Sequence, residues 1–366
     1  MDTLQKIKFR IKAGISGAED EHNRRVNDRV PVSGLQGLHG EKLYITDYHA
    51  LLNKAEELEK LYEKVPASRR VSAVVLLDAH ASATIEGART TVERVKQCLD
   101  NPVSKDEKMV ANTYKGCMFA YDHRITSGNI RQLWEIIVKD TCENEDLKGT
   151  LYRDGMVYVG SDRKIIHEPA GVDQIETLMR ALFDYANNKD ENAFLKNFAA
   201  HFYFVYVHPF CDGNGRMART LTSSELYHSG YRKMKSLPLA STINSRVQEY
   251  YRKISEAEET MDEPDGTKWH DISPFIDYML DTFEQCMVNA FLSENELTDH
   301  EKLILQKMNK KGTGAEITVQ NAMKITGLSE TTTRNILNSL SNKGYLRIEK
   351  GQKRYIYLLI AGLGGD

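Results

Sequence analysis

The sequence predicts a mainly α-helical body interrupted by one β-hairpin, followed by a smaller C-terminal unit with its own core. Three observations carry that expectation. Apolar residues recur at helical spacing through most of residues 47–292. A single stretch, "GTLYRDGMVYVGSDRKIIHEPAG", switches to a period of two, with Val157 and Val159 flanking Tyr158. After residue 299 the pattern becomes helix, turn, helix and two short alternating runs, and the charge changes sign.

Length and charge set the frame. With 366 residues and 41% hydrophobic content, the chain can bury one large core and a smaller one. The formal net charge is −3, so the chain as a whole is no polyanion binder. From Asp299 onward, however, eleven Lys/Arg face six Asp/Glu, a net of +5, which leaves −8 on the rest. A basic tail on an acidic body suits two separate jobs. The five cysteines are scattered and form no CxxC, which argues against a disulfide frame or a zinc site. The first residues, "MDTLQKIKFRIK", lack an apolar run, and no stretch reaches the roughly 18 apolar residues of a membrane span, so a cytoplasmic location away from membranes is expected.

Taken in order, residues 1–40 are polar and dotted with glycine, and are expected to be irregular or lightly packed. "DYHALLNKAEELEKLYEKV" places leucines at helical spacing. "SRRVSAVVLLDAHASATIEGARTTVERVKQCLD" reads as two helical stretches meeting near Glu86-Gly87, where glycine suits a helix end. Residues 108–139 continue helical. The hairpin follows, with Asp154-Gly155 as a turn pair and Ile165-Ile166 as a return strand. "NAFLKNFAAHFYFVYV" is apolar nearly all round and predicts a buried central helix. Helical text resumes over 216–229, closed by Gly230, and again around 244–260 and 271–292. The domains expected are 1–105, 106–292 and 293–366.

The chemistry concentrates in "VHPFCDGNGRMAR", residues 207–219. Gly213-Asn214-Gly215 precedes a helix, and a helix N-terminus with glycines is suited to cradling a phosphate. Arg216 and Arg219 are three apart and share a helix face, so two guanidinium forks could clamp neighbouring phosphates. Asp212 is a hard oxygen ligand suited to Mg²⁺, and His208 is the natural base for an attacking hydroxyl.

"HPFCDGNGRMAR" resembles the Fic-family signature His-Pro-Phe-x-Asp/Glu-Gly-Asn-Gly-Arg-x-x-Arg at every fixed position. The resemblance covers roughly residues 45–290, including the apolar helix before the motif, the hairpin upstream, and "SRVQEYYRKI" with Trp269 downstream. It implies the Fic fold, a helical bundle with a β-hairpin flap, and a protein adenylyltransferase that moves AMP from ATP, with Mg²⁺, onto a Ser, Thr or Tyr hydroxyl of a target protein, the chain itself included. It makes His208 the general base, Asp212 the metal ligand, the backbone of 213–215 the anion hole, and Arg216 and Arg219 the β- and γ-phosphate clamps. Val159, Gly160, Ser161 and Asp162 fall at the nucleotide-facing edge of the flap, which holds the target as an added strand. Tyr250 matches an aromatic near the nucleoside, with core packing as the other reading. "SATIEG" resembles the family's inhibitory motif Ser/Thr-x-x-x-Glu-Gly/Asn, so Ser82, Glu86 and Gly87 imply the class with an N-terminal inhibitory helix, in which Glu86 pairs with Arg219 and takes the fork meant for ATP. One departure is His167-Glu168-Pro169-Ala170, where relatives often carry paired prolines; it bears on target choice rather than chemistry.

"ITVQNAMKITGLSETTTRNILNSLSNKGYLRIEKGQKRYIYLL" resembles a winged helix-turn-helix, turning at Gly327-Leu328 and Lys350-Gly351 with Ser329 as a cap. Thr331, Thr332, Arg334 and Asn335 would point outward, and Arg347, Lys350, Lys353 and Arg354 would decorate the wing. DNA binding and a protein-interaction or dimerisation role, a homodimer included, both fit this module. Two other functions stay open beside transferase: a de-AMPylase or bifunctional enzyme in which Glu86 activates water, and a DNA-binding regulator whose Fic domain senses nucleotide.

Overall fold

The computed structural model describes residues 1–65, 71–142, 150–157, 159–161, 164–294, 297–311, 315–343, 345–350 and 355–359. The chain divides into two units, Met1–Leu58 with Arg69–Phe283, and Glu59–Ser68 with Glu284–Asp366.

The polar opening stretch is ordered, which corrects the sequence expectation. It forms α1 (Leu4–Lys12), α2 (Ala18–Asn27) and β1 (Val30–Gln36). Their apolar side chains are few, but Leu4, Ile7 and Ala18 bury against Met261 and Trp269. Arg25, 1% exposed, donates to Asp271 at 2.9 Å and to Thr46 Oγ1 at 3.1 Å. These partners lie more than 200 residues away in the chain for Asp271, Met261 and Trp269, beyond the reach of any local pattern. A second correction follows. The body holds a four-stranded sheet besides the hairpin, in the order β1, β2 (Lys42–Ile45), β6 (Lys268–Asp271), β5 (Thr260–Asp262), with β2 and β6 parallel.

The rest of the first unit is helical. It runs through α3 (Tyr48–Lys64), whose residues from Glu59 fall in the second unit, α4 (Val71–Ile85), α5 (Val92–Cys98), α6 (Lys105–Asp122) and α7 (Ile130–Val138). The hairpin pairs β3 (Val159–Ser161) with β4 (Lys164–His167), so the reversal falls between Ser161 and Lys164 rather than at Asp154-Gly155. Then come α8 (Val172–Ala186), α9 (Ala193–Val207), α10 (Asn214–His228), a 3₁₀ turn (Arg232–Ser236), α11 (Leu239–Asn244), α12 (Val247–Ala257) and α13 (Ser273–Glu294), of which residues from Glu284 onward belong to the second unit. Helix α9 is the central element. Asn192 caps it by accepting from the Phe194 and Leu195 N–H groups, and Phe194, Phe198, Phe202 and Phe204 are all buried. A helix apolar on every side needs neighbours on every side, and α8 and α10 pack against it.

In the second unit, α14 (Asp299–Asn309), β7 (Glu316–Ile317), α15 (Val319–Thr326), α16 (Glu330–Asn342), β8 (Leu346–Lys350) and β9 (Tyr355–Leu359) form three helices and a sheet ordered β7-β9-β8. Gly327 closes α15 at φ +71°, and Ser329 caps α16. Ile304, Leu305, Leu337, Leu340, Leu346 and Tyr357 form its core. Glu301, 2% exposed, joins α14 to α16 by accepting from Ser339 Oγ and Lys343 Nζ. Among the described residues no helix is long and apolar enough to cross a membrane.

Candidate active site

The site is built where α9 ends and α10 begins. His208 caps α9 in the left-handed region at φ 53°, unusual for a residue with a side chain, and its N–H still reaches Phe204 O. The loop is then held from three sides. Phe210 stacks on Trp134 with ring centroids 5.2 Å apart, and Trp134 Nε1 donates to Asp212 O at 3.0 Å. Asn214, 2% exposed, accepts from Phe210 N and donates back to Phe210 O, so its side chain braces the loop from within. Gly213 opens α10 at φ +82°, and a Cβ there would lie 2.9 Å from Val138 Cγ1.

The two arginines lie on the buried face of α10. Arg216 is 0% exposed; Nη1 donates to Ile137 O at 3.0 Å and Nη2 lies 3.4 Å from Asp212 Oδ2, while Nε and Nη2 have no hydrogen-bond acceptor. Arg219 is 3% exposed and donates from Nε to Ser82 Oγ at 2.9 Å and from Nη2 to Ser82 O at 3.0 Å and Glu86 Oε1 at 2.7 Å. Its Nη1 is buried without an acceptor. Burial is the largest single influence and disfavours the Arg219 charge, but Glu86, Tyr250 and Tyr251 together raise the guanidinium pKa.

Glu86 comes from α4. That helix ends at Ile85, and Gly87 at φ +93° reverses the chain just past the carboxylate. Glu86 keeps 30% side-chain exposure. A methyl group added at Gly215 would sit 2.2 Å from Glu86 Oε1 and 3.1 Å from Arg219 Nη1. The carboxylate therefore lies directly over the first turn of α10, where backbone N–H groups and the helix dipole favour an anion. Ser82, Glu86, Gly215 and Arg219, distant in sequence, are brought together.

Burial lowers the His208 pKa to about 4, with the charges of His167 and Arg153 adding to the effect, so the imidazole is neutral at pH 7 and able to accept a proton. Asp212 is 45% exposed at its side chain, and its Oδ1 accepts from Gly213 N at 2.5 Å. A single exposed carboxylate beside buried unpartnered guanidinium N–H groups fits a Mg²⁺ that arrives with a polyphosphate rather than one held by a protein cage. No group of three or more His, Cys, Asp or Glu able to hold a metal occurs among the described residues.

Val159, Gly160 and Ser161 form β3, with Val159 opposite His167 and Ser161 opposite Lys164; Asp162 lies outside the described residues. Tyr250 is 1% exposed, and its hydroxyl lies 2.8 Å from His201 Nε2. Its neighbour Tyr251 is the exposed ring, at 44%, with its hydroxyl 3.5 Å from Ile85 O.

Sequence reasoning missed three residues here. Arg153, 3% exposed, donates from Nε to His208 O at 2.9 Å, from Nη1 to Gly155 O at 2.8 Å and from Nη2 to Ala170 O, so one guanidinium joins both ends of the hairpin segment to the histidine. Asp78 lies one turn before Ser82 on α4, accepts from Ser241 N at 2.9 Å, and has its carboxyl pushed up to about 7 by burial. Tyr251, beside the Tyr250 that the sequence resemblance points to, is the third. Only the spacing of Asp78, Ser82 and Glu86 at four-residue steps could have signalled one of them.

Residues 124–226 match the model of the Fic/DOC family. "Protein adenylyltransferase Fic" of Drosophila grimshawi is 24% identical over 280 residues, covering 73% of this chain and 54% of that protein. Its counterpart in Drosophila virilis is 24% identical over 293 residues, 77% of this chain and 56% of that one. The chain thus spans about half the length of the curated relatives it matches. Among solved structures, a Fic family protein from Desulfovibrio desulfuricans G20 superposes with a TM-score of 0.55 at 23% identity, covering 87% of this chain and 96% of that one. Fic-1 from C. elegans gives 0.50 at 16%, covering 67% and 73%. Residues 124–226 thus match a Fic domain, and the fold is that of these solved Fic proteins.

Proposed function

We propose, from the Fic domain at residues 124–226, that this chain is a protein adenylyltransferase restrained by its own Glu86. The observation that carries the reading is the carboxylate of Glu86 over Gly215 at the α10 N-terminus, bound to Arg219, beside guanidinium N–H groups of Arg216 and Arg219 that are buried without acceptors. An anion-binding nest already holding an anion is what a phosphate site closed by an internal competitor looks like. ATP is the substrate. Arg216, Arg219 and the backbone of 213–215 bind its phosphates, and neutral His208 takes the proton from a Ser, Thr or Tyr hydroxyl as that oxygen attacks the α-phosphorus and pyrophosphate departs. Asp212 would hold a Mg²⁺ beside the phosphates, and that ion would supply charge neutralisation there. The hairpin β3–β4 clamps the target segment as an added strand, and the domains act as 1–105, 106–292 and 293–366.

The C-terminal unit we read as a winged helix-turn-helix. Its half-buried Arg334 pairs with Glu330 at 2.7 Å and its exposed Arg347 with Glu349 at 2.8 Å, while Lys353 and Arg354 lie outside the described residues. Arginines already paired on their own element have less charge to offer phosphates, which favours a protein partner, a second copy included, over DNA.

The test is incubation of wild type and Glu86→Gly with α-labelled ATP and Mg²⁺, scoring label on protein. Label accumulating in the variant alone supports the restrained transferase. Removal of label from a modified target by wild type, lost in Glu86→Gly, would instead make Glu86 a water-activating residue. Tight operator DNA binding without transfer by either protein would leave a nucleotide-sensing regulator.

A further inference from the structure

Two thiols meet beside the phosphate loop. Cys211 sits between Phe210 and Asp212, and Cys142 follows α7 by four residues. Their Sγ atoms are 3.6 Å apart, although 69 positions separate them in the chain, and both side chains are partly exposed. A disulfide needs about 2.05 Å between sulfurs, so the pair must close by only about 1.5 Å. The flanks of Cys211 cannot supply much of that motion. Phe210 is clamped by Asn214 and stacked on Trp134, and Asp212 O is held by Trp134 Nε1. Cys142 lies beyond the last residue of α7, where its N–H makes a long 3.3 Å bond to Val138 O, so the remaining approach falls to rotation of the two side chains and to this loosely held end.

We infer that Cys142 and Cys211 are a modification site: a dithiol that a peroxide or a small-molecule disulfide oxidises to an intramolecular disulfide. With a peroxide, both S–H bonds and the O–O bond break, one S–S bond forms, and the two hydrogens leave in two waters. The bond would tie the phosphate loop to the C-terminal end of α7, the helix end whose Ile137 carbonyl also accepts from Arg216. Asp212, adjacent to Cys211, is the exposed carboxylate that the proposed function gives to the cation. A bond at Cys211 restrains the backbone that carries it. This consequence for transfer rests on the proposed function, whereas formation of the bond does not. The cysteine scatter that argues against a structural disulfide frame is compatible with one redox pair, since only the fold brings these two together.

The experiment treats the full-length Glu86→Gly protein with hydrogen peroxide, quenches it, alkylates remaining thiols, and maps peptides by mass spectrometry. A Cys142–Cys211 linked peptide, lighter by two hydrogens and lost on reduction, is expected, and Cys142→Ser should lack it. Transfer with Mg-ATP should fall at least about fivefold in the oxidised protein, recover with reductant, and be insensitive to peroxide in Cys142→Ser. If both thiols remain alkylatable while Cys98 in the same sample is oxidised, or if the linked cysteines are another pair, the site is refuted. If the bond forms but transfer is unchanged, the modification stands and its coupling to Asp212 is refuted. If no transfer is seen even in reduced protein, the proposed function fails while the mapped bond still decides this inference.

Discussion

Replacing Glu86 by glycine should raise the rate of AMP transfer about 10- to 100-fold while lowering stability, and the size of both effects can be worked from the contact. Arg219 is 3% exposed, and Glu86 Oε1 at 2.7 Å is its only charged partner among the contacts resolved at its guanidinium; Ser82 supplies the other two acceptors. A fully exposed pair would contribute at most ~1 kcal/mol, and breaking a fully buried one costs ~3–5 kcal/mol. With 30% of the carboxylate side chain open to water, the pair falls between these limits, at about 1.5–3 kcal/mol. Each ~1.4 kcal/mol released from the closed arrangement multiplies the population able to seat the γ-phosphate tenfold. Glu86→Asp should give part of the gain, because its shorter side chain reaches the fork less well. Arg219→Ala should give none, since in the proposed function the same fork serves ATP, and in Glu86→Gly/Arg219→Ala the gain should largely vanish. The assay is the initial rate of label transfer to one target at saturating Mg-ATP, with thermal unfolding of each variant run alongside. The glycine variant should unfold at lower temperature without ATP and recover with it, because the phosphate replaces the lost anion over Gly215. A hyperactive Arg219→Ala, or a Glu86→Gly protein with an unchanged rate, would refute the pairing argument and leave Glu86 with water activation as its role.

Four further outcomes are expected. His208→Ala should abolish transfer while ATP binding by calorimetry stays within about twofold, because the base acts on the incoming hydroxyl; with its pKa near 4 the rate in the parent protein should show no inflection near the ordinary histidine value of about 6.5. Arg153→Ala should cut transfer at least about tenfold with less change in ATP affinity, since it releases the His208 carbonyl and both ends of the hairpin segment, and an equal loss in binding would count against a positioning role. Asp78 keeps a proton in the native state up to about pH 7, whereas its unfolded value is 3.8; its contribution is therefore complete below pH 3.8 and is lost as pH rises to about 7, by up to ~4 kcal/mol, and denaturant titrations at several pH values should show this slope flattened in Asp78→Asn. A chain ending at Glu296 and carrying Glu86→Gly should retain auto-transfer, and loss of label in that truncation would show that the C-terminal unit takes part in the chemistry.

What the sequence determined by itself is the chemistry-bearing stretch and the helical scaffold around it. The motif at 208–219 is contiguous, so its base, glycines and arginines are positioned by one helix end and one helix start, and helical spacing alone puts Arg216 and Arg219 on a common face. The buried character of α9 was legible for the same local reason. The contacts that depend on distant segments were not legible. The ordering of residues 1–36 comes from Met261, Trp269 and Asp271, and apolar positions spread thinly through a polar stretch carry no sign of such distant partners. The role of Arg153 depends on carbonyls at His208 and Ala170, and backbone acceptors leave no trace in side-chain identity. Cys142 and Cys211 look scattered until α7 and the phosphate loop are packed together. Even at the motif, the distance from Glu86 to Arg219 and its seat over Gly215 were settled only when α4 packed against α10, because burial and a 2.7 Å contact are properties of the folded chain and not of its residue spacing.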